Sequence, residues 1–476
     1  MRLCRSLLVR ALLAVALLAI AREPLAAQSA EALARLEAAR DAKPEDFSTQ
    51  RALGVAYFKA ERYADATAPL QAARSLDAAD PVAALYAGLT ADQLGDYSSA
   101  RTAYTDYLAV KRPWYAFKAK RAAAQVRDRL VAIAHLESVA AAKAAVAAEA
   151  TLAPGGGDPR TIAVPPMRYS GPDAAALSPL ERGLAELVIT DLGKSSQLVV
   201  VERDRMQALA DEIALGASGA VDSASAVRAG RLIQAGRLVN GNIVHGGETL
   251  TLTSSIVSVR TSEISSPARV SDGMDKFFDL QKDLVFQIFD QLGVVLTDEE
   301  RAAIGVRHTQ NFEAFLLYSS GLVAMDAGRF QDAARLFEQA RVADPSFAAA
   351  ASRAGLAQAA MVGAAVNATT LESAMPVSER NVVSTAVQGV VLPPAPPALI
   401  PGLPGIPRLP AAPAGPLGAT LAATSLGVNP PSVSPVTFAA APGSPPTPIF
   451  DLPSNVSGQD RLRIVSSILV FVRVLP

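Results

Sequence analysis

The 476 residues carry 44 Lys and Arg against 45 Asp and Glu, for a net charge of -1 and a pI ≈ 6.4, and 50% of them are apolar. A chain of this length accommodates two or three domains. The balanced charge argues against a nucleic-acid binder, which is normally basic, and a single cysteine with three histidines leaves little for thiol or imidazole chemistry.

The N-terminus reads as a targeting segment. Arg2, Arg5 and Arg10 precede the apolar run ALLAVALLAIA, which is too short to span a bilayer comfortably. Small residues follow at Ala19-Ile20-Ala21 and at Leu25-Ala26-Ala27, completing the order of a secretory signal over residues 1–27. Cleavage is expected after Ala21 or after Ala27, and the chain is expected to be exported, periplasmic or associated with the outer membrane. Cys4 lies in the part removed, so the mature chain would hold no disulfide, thiol nucleophile or Cys-based metal site. No apolar run of about eighteen residues follows, and no transmembrane span is expected in the mature chain.

Residues 28–150 contain an internal repeat. At a spacing of 34 residues Gly54 pairs with Gly88, Tyr63 with Tyr97, Ala66 with Ala100, and Leu70 with Tyr104. Small residues at these offsets let two helices approach, and the large side chain after the turn fills the gap they leave. The pattern resembles the tetratricopeptide repeat, a helix–turn–helix unit of this period. The likeness covers about residues 47–114 and departs at Ala78, where such repeats usually have proline; Pro81 and Pro113 are slightly displaced. The resemblance implies a concave face lined by the first helix of each unit, at Ser48, Arg51, Val55 and Phe58, then Val82, Leu85, Leu89 and Asp92. These are the expected partner-binding residues. Arg51 and Asp92 would anchor opposite charges, Phe58 and Leu85 would supply apolar area, and the mixture suits an extended peptide better than a metabolite. Two units are marginal alone, so the Ala-rich stretch Trp114–Ala150, with Phe117, Val126, Leu130 and Ile133, is read as a capping helix.

PGGGDP, Pro154 to Pro159, reads as a linker within 151–160, because no strand precedes the glycines and no GK[ST] closes them. Gly193-Lys194-Ser195 is no phosphate loop either, since Val188 stands where the earlier glycine belongs. Residues 161–305 read as an α/β domain that opens with a strand at Thr161. A helix follows, with Leu180, Leu184, Leu187, Val188 and Leu192 at helical spacing. LVVVE, Leu198 to Glu202, reads as a strand covered on both faces. The next helix carries Met206, Leu209 and Ile213, with Asp204 as N-cap and Gln207 completing a pair that resembles a capping box. A hairpin turns at Gly246-Gly247, and a last helix presents Phe277, Leu284, Val285, Ile288 and Leu292. In this order Arg203 and Arg205 flank Asp204 at a solvated strand–helix joint, with Asp211 and Glu212 on the polar side. The charged cluster is therefore read as structural and not as an active site.

TIAVPPM, the VVVER joint, DEIALGASG and VDSASAVRAGRLIQAGRLVNGNI are together similar to the CsgG family of curli secretion, with its FlgO-like relatives and the domain preceding the propeller of TolB-like proteins. The likeness covers about 145 residues. It implies a compact periplasmic α/β domain that tends to oligomerise, binds other envelope components and carries no catalytic residues. The family's secretion channels have a lipidated cysteine and insert hairpins into the outer membrane. This chain lacks that cysteine, and its hairpin near Gly246 is read as too short for membrane strands of about ten residues each, which argues against a pore.

Residues 306–365 hold a third repeat, with Gly321, Phe330, Ala333, Phe337, Ala340 and Pro345 at the same offsets. Residues 366–476 read as a Pro-rich tail: more than half of the 33 prolines follow Val391, and Arg408 is almost the only charge before Asp451. Such a composition favours extended polyproline segments, as a spacer or as a ligand for another domain. The final RLRIVSSILVFVRVLP is strand-like and suits pairing with a sheet edge here or in a partner. His135, His245 and His308 are scattered without ligand spacing. The expected fold class is α+β and multidomain, with helical hairpins flanking a small α/β domain ahead of the tail. No catalytic residue, cofactor or metal is expected. The expected function is a non-enzymatic envelope scaffold that binds protein or peptide partners and self-associates through its α/β domain; a component of an outer-membrane export apparatus and a small-ligand-binding envelope sensor are the alternatives.

Overall fold

A computed structural model of the chain describes residues 30–111, 117–152, 155–214 and 223–388. Residues 1–27, read as a signal and including Cys4, the prolines after Val391 and the terminal stretch read as strand-like lie outside the described residues, as do Trp114 and Pro154.

Helix α1 covers residues 30–42. It is followed by α2 (Phe47–Lys59), α3 (Tyr63–Leu76), α4 (Pro81–Gln93) and α5 (Tyr97–Ala109). Local chemistry sets the starts. Asp46, Asp80 and Asp96 each accept a hydrogen bond from the backbone N–H three residues on, at 2.8, 2.6 and 3.1 Å, which satisfies donors a helix start leaves free. The turns from α2 to α3 and from α4 to α5 share one geometry with the turn between α13 and α14, defined below. The N–H groups of Arg62, Asp96 and Arg329 donate to the carbonyls of Tyr57, Ala91 and Ala324, each at 2.9 Å. The residue before each donor is left-handed: Glu61 at φ 60°, Gly95 at 75° and Gly328 at 68°. This is the glycine-favouring helix C-terminus, and Glu61 adopts it with a side chain attached.

The repeat glycines bring the paired helices together. A methyl group on Gly88 would lie 2.5 Å from the Tyr104 ring and one on Gly321 would lie 2.6 Å from Phe337, while Gly54 packs on Leu70 in the same way. All three pairs are separated by the same sequence interval, so three hairpins share one packing rule.

The long helix α6 (Phe117–Ala147) comes next. The expectation of a terminal cap is corrected: α6 packs against α5 on one side and against a helix from far downstream on the other. Val126 and Ile133 are buried as anticipated, but Phe117 is exposed. Among the described residues α6 is the one helix long and apolar enough to cross a membrane by length and composition. It also carries the ion pairs Arg101–Glu137 and Arg129–Asp92 to its neighbours.

The α/β part comprises β1 (Thr161–Ala163), β2 (Arg168–Ser170), α7 (Ala174–Leu177), α8 (Leu180–Leu192), β3 (Val199–Val200), α9 (Arg203–Glu212), α10 (Ser223–Ile233), β4 (Arg237–Gly246), β5 (Thr249–Ser258), β6 (Ala268–Gly273), α11 (Phe277–Leu292) and α12 (Asp298–Gly305). The sheet order is β3-β1-β4-β5-β6, with β2 also paired to β4. Strands β1, β2 and β3 join in parallel, whereas β4–β5 and β5–β6 are antiparallel. Helices α8 and α11 cover one face of the sheet, and α9 and α10 cover the other.

Three expectations change here. LVVVE is an edge and not a strand covered on both faces: β3 has two residues and Val199 is 58% exposed. Val201 is buried in the core it shares with α9, while Leu198 and Val200 are partly buried against the core on the α8 side. The β4–β5 hairpin turns at Gly247-Glu248, and each strand has ten residues, so the argument from shortness fails. What the strands do instead is bury Leu238, Val239, Ile243, Leu250, Leu252 and Val257 inside the protein. Finally, the glycines of the linker are docked. Gly157 donates to the Ala235 carbonyl at 3.2 Å, and Gly156 (φ +69°) lies against Val259 with no room for a side chain.

The chain then returns to helices: α13 (Phe312–Asp326), α14 (Phe330–Ala343), α15 (Ala348–Ala364), α16 (Ala368–Ala374) and α17 (Val377–Ala386). The third hairpin, α13–α14, shares its core with α8 and α11, while α15 is the downstream helix that packs along α6. The stretch assigned to the tail from residue 366 opens with α16 and α17, and both join the core of the N-terminal hairpins. The fold is α+β, with a mixed sheet between two sets of helices.

Candidate functional site

Two places gather candidate side chains: the face of α2 and α4 anticipated for partners, and the VVVER joint.

On the first, Ser48 is exposed and donates to Asp46 at 2.7 Å. Arg51 pairs with Asp80 at 2.6 Å, its guanidinium 4.7 Å from the centre of the Phe47 ring. Val55, Phe58, Val82, Leu85 and Leu89 are all buried. Phe58 packs edge-on against Tyr86, ring centres 5.2 Å apart. Asp92 receives both Nε and Nη2 of Arg129 at 2.7 Å and the Tyr104 hydroxyl at 3.1 Å. Its charge is thus matched inside the protein.

The apolar members share one core with Leu371, Ala374 and Met375 of the α16 region and with Val383 and Ala386 of α17. Polar groups fix the contact. The Tyr86 hydroxyl donates to Glu372 at 2.5 Å, and Lys59 forms an ion pair with the same carboxylate. Burial, helped by the Glu372 charge, pushes the Tyr86 hydroxyl well above the usual phenol range. The face therefore holds a helical segment of its own chain, with Glu372 among its anchors.

At the joint, α9 begins at Arg203 with Glu202 as N-cap and no side-chain cap. The expected Asp204 cap is corrected: Asp204 sits in the first turn and binds Arg203, while Gln207 donates to Asp211 at 2.8 Å. The joint is solvated at Glu202 and Arg205, which are exposed, but not at Arg203. The Arg203 side chain is 5% exposed. Its Nη1 and Nη2 donate to Asp326 at 2.9 and 2.7 Å, a bidentate pairing, and its Nε faces Glu186 at 3.3 Å. Arg182 reaches Asp326 at 2.9 Å, and Arg353 reaches Glu186 at 2.7 Å. Burial penalises the Arg203 charge, but Asp204 and Asp326 outweigh it and raise its pKa. Burial likewise pushes the Glu186 carboxyl up, and Arg353 with Arg203 brings it below the usual range. This alternating network ties α9 and α8 to α13 and α15. Gly183 of α8 makes the approach close, since a methyl there would collide with Ser319 and Phe315 of α13.

A smaller cluster surrounds Asp191, which is fully buried. It accepts from Lys194 and Lys282 at 2.7 Å, from Gln281 at 2.8 Å, and lies 3.2 Å from His308 Nε2. Burial would raise this carboxyl, but the hydrogen bonds from His308 and the lysines hold it well below the usual range. Lys194, once weighed as a phosphate-loop residue, is thereby committed to Asp191. His135 stacks edge-on near Phe330, and His245 lies 3.3 Å from the Tyr169 hydroxyl. Among the described residues no group of three His, Cys, Asp or Glu is placed to hold a metal.

The span from the β1–β2 connection to the start of β6 is the mixed α/β unit that carries the VVVER joint. Residues 165–267 match the family model described as Curli production assembly/transport component CsgG. The CsgG-type domain thus ends just before β6, and α11 lies beyond the matched residues. No curated protein matches the chain.

Sequence reasoning missed Asp326, Glu186 and Arg353 around Arg203, and Glu372, Lys59 and Tyr86 on the helical face. Their partners lie far along the chain and leave no local spacing. Asp191 did leave a signal: it stands at helical spacing on the apolar stripe of Leu184, Leu187 and Val188, where a lone acid requires a cation.

Proposed function

We propose that this protein is a non-enzymatic cell-envelope scaffold, in which tetratricopeptide-type hairpins hold protein partners and the CsgG-type domain attaches them to an envelope assembly. The observation that carries the reading is the shared packing of the three hairpins, Gly54 on Leu70, Gly88 on Tyr104 and Gly321 on Phe337. Stacked units of this kind create extended concave surfaces used for protein binding. The Arg203 network supports it further, because it couples the third hairpin to the CsgG-type domain. The saturated Asp191 and Arg203 clusters favour a structural over a catalytic role, since each carboxylate already has its cations. Exported localisation in the periplasm or at the outer membrane is part of the proposal. The test is affinity capture from an envelope extract with the full chain as bait. Recovery of a defined set of envelope proteins is expected; an empty capture overturns the reading.

A second reading, a component of a curli-type export apparatus, is favoured by the description of the family that matches residues 165–267. Membrane fractionation separates the two. Detergent-requiring, ring-forming material would favour export, and a soluble periplasmic species would favour the scaffold.

A further inference from the structure

We propose that residues 368–386 are a built-in ligand of the helical face, and that the face accepts an amphipathic partner helix that displaces them. The proposal deepens the scaffold reading and rests on it: it names the partner's chemistry and a means of control.

The resident segment is held by a narrow stripe. Leu371, Ala374, Met375, Val383 and Ala386 are buried, while much of α17 faces solvent. Helices of seven and ten residues fall below the length at which isolated helices persist in water, about 12 residues, so packing on the face sustains them. The last described element of the chain, the segment joins α15 through Ala365, Val366 and Asn367. Among the described residues, it can leave without unthreading another element. Helix α13, by contrast, is locked between α8 and α14.

What the segment presents is specific. Glu372 is met by a cation, Lys59, and by a phenol donor, Tyr86, which come from α2 and α4. Leu371 and Met375 flank the acid and share a core with Phe58, Leu85 and Leu89. A face that offers one cation, one phenol and apolar area fits a helix bearing Leu-Glu followed three residues after the acid by methionine or a similar side chain. With the resident segment gone, that apolar area would meet water, which soluble proteins avoid unless a partner covers it. Of the eight positions assigned to an extended peptide, the five apolar ones, Val55, Phe58, Val82, Leu85 and Leu89, share a core with this helical segment, while Ser48, Arg51 and Asp92 are bonded elsewhere.

The test uses the full chain and a dye-labelled synthetic peptide of residues 366–388, read by fluorescence anisotropy. Wild type should bind the peptide weakly, because its own copy competes. Met375→Asp weakens the resident copy and should tighten peptide binding by about tenfold or more, the factor by which a mostly closed site lowers apparent affinity. Adding Lys59→Glu should remove most of that gain, and a Glu372→Lys peptide should restore it by reversing the ion pair. Peptide binding no tighter to a folded Met375→Asp chain than to wild type overturns the proposal. Native-state hydrogen exchange on wild type guards against a variant that fails to fold. Amides of α16 and α17 should exchange about a hundredfold faster than those of α13, as a locally opening segment does; equal protection overturns the proposal. Peptide binding that follows this pattern, with no envelope protein captured by Met375→Asp, would refute the scaffold reading and leave the groove and its helical ligand standing.

Discussion

Arg203→Met tests the joint most directly. The substitution keeps the length of the side chain and removes a charge that is bonded twice to Asp326 and faces Glu186. Breaking a buried ion pair from one side costs about 3–5 kcal/mol, because a desolvated charge is left behind. Here both acids keep a second cation: Arg182 stays on Asp326 at 2.9 Å, and Arg353 stays on Glu186 at 2.7 Å. The expected loss is therefore at the low end, about 3 kcal/mol. For a large unit that lowers the melting temperature by about 6 °C, at roughly 2 °C per kcal/mol. Urea unfolding followed by circular dichroism gives the loss directly, and the Arg203→Met/Asp326→Leu double variant gives the coupling. The losses of the two single variants should be less than additive in the double variant, because the doubly bonded pair is removed as a unit, although Arg182 then loses Asp326 as well. A single variant that loses under about 1 kcal/mol, within the range of exposed ion pairs, would show that the network is solvated after all.

Three further outcomes follow from named contacts. Gly88→Ala, whose new methyl would lie 2.5 Å from the buried Tyr104 ring, should cost about 1–3 kcal/mol through overpacking, and a thermal melt indistinguishable from wild type would refute the shared packing rule. Burial pushes the His135 imidazole below its ordinary range, so the unfolded chain takes up the proton first; the associated stability is present above a pH of about 6.5 and is lost as pH falls through the folded value. His135→Asn should flatten the decline in melting temperature between about pH 7 and pH 5, and parallel profiles would refute the assignment. The Asp191 carboxyl is depressed by its His308 and lysine bonds against the opposing effect of burial, so its contribution is present above a pH of about 4 and is lost below it. Asp191→Asn should cost about 3–5 kcal/mol at neutral pH and weaken the acid-unfolding step, whereas an unchanged acid midpoint would refute its role.

Much of the fold was legible because it rests on local chemistry. The aspartates before α2, α4 and α5 cap their helices, and the repeat glycines mark where helices touch. The apolar spacing of Leu184, Leu187 and Val188, and of Leu284, Val285 and Ile288, names the faces that meet the sheet. The joint was misread for the opposite reason. Alternating charges in VVVERDR suggest solvent, because the local sequence shows two acids interleaved with two arginines. Asp326 and Glu186 neutralise Arg203 from positions 123 residues downstream and, on the N-terminal side, from α8. No periodicity reports a partner at that distance. The strand was misjudged likewise, since three consecutive valines satisfy a buried strand and an edge strand equally well.

The helical face is the more instructive case, because its residues were chosen on geometry that the chain itself uses. The repeat resemblance puts such positions of the first helix of each unit on a concave side, and here Phe58, Leu85 and Leu89 share a core with residues of the 368–386 segment. What the repeat pattern does not encode is occupancy. Residues 368–386 lie beyond the third hairpin in a stretch whose Ala, Ser, Thr and Val content resembles the proline-rich sequence after it. Its two helices are short, its caps are modest, and only Asn367, which accepts from the Thr370 N–H, marks a start. A binding surface and a core differ only in whether the covering element belongs to the same chain. At this face the chain supplies one, through Glu372 on Lys59 and Tyr86. The apolar residues that would recognise a partner are for that reason the same residues that stabilise the closed form, and any ligand must compete with a copy of its own chemistry held at high local concentration.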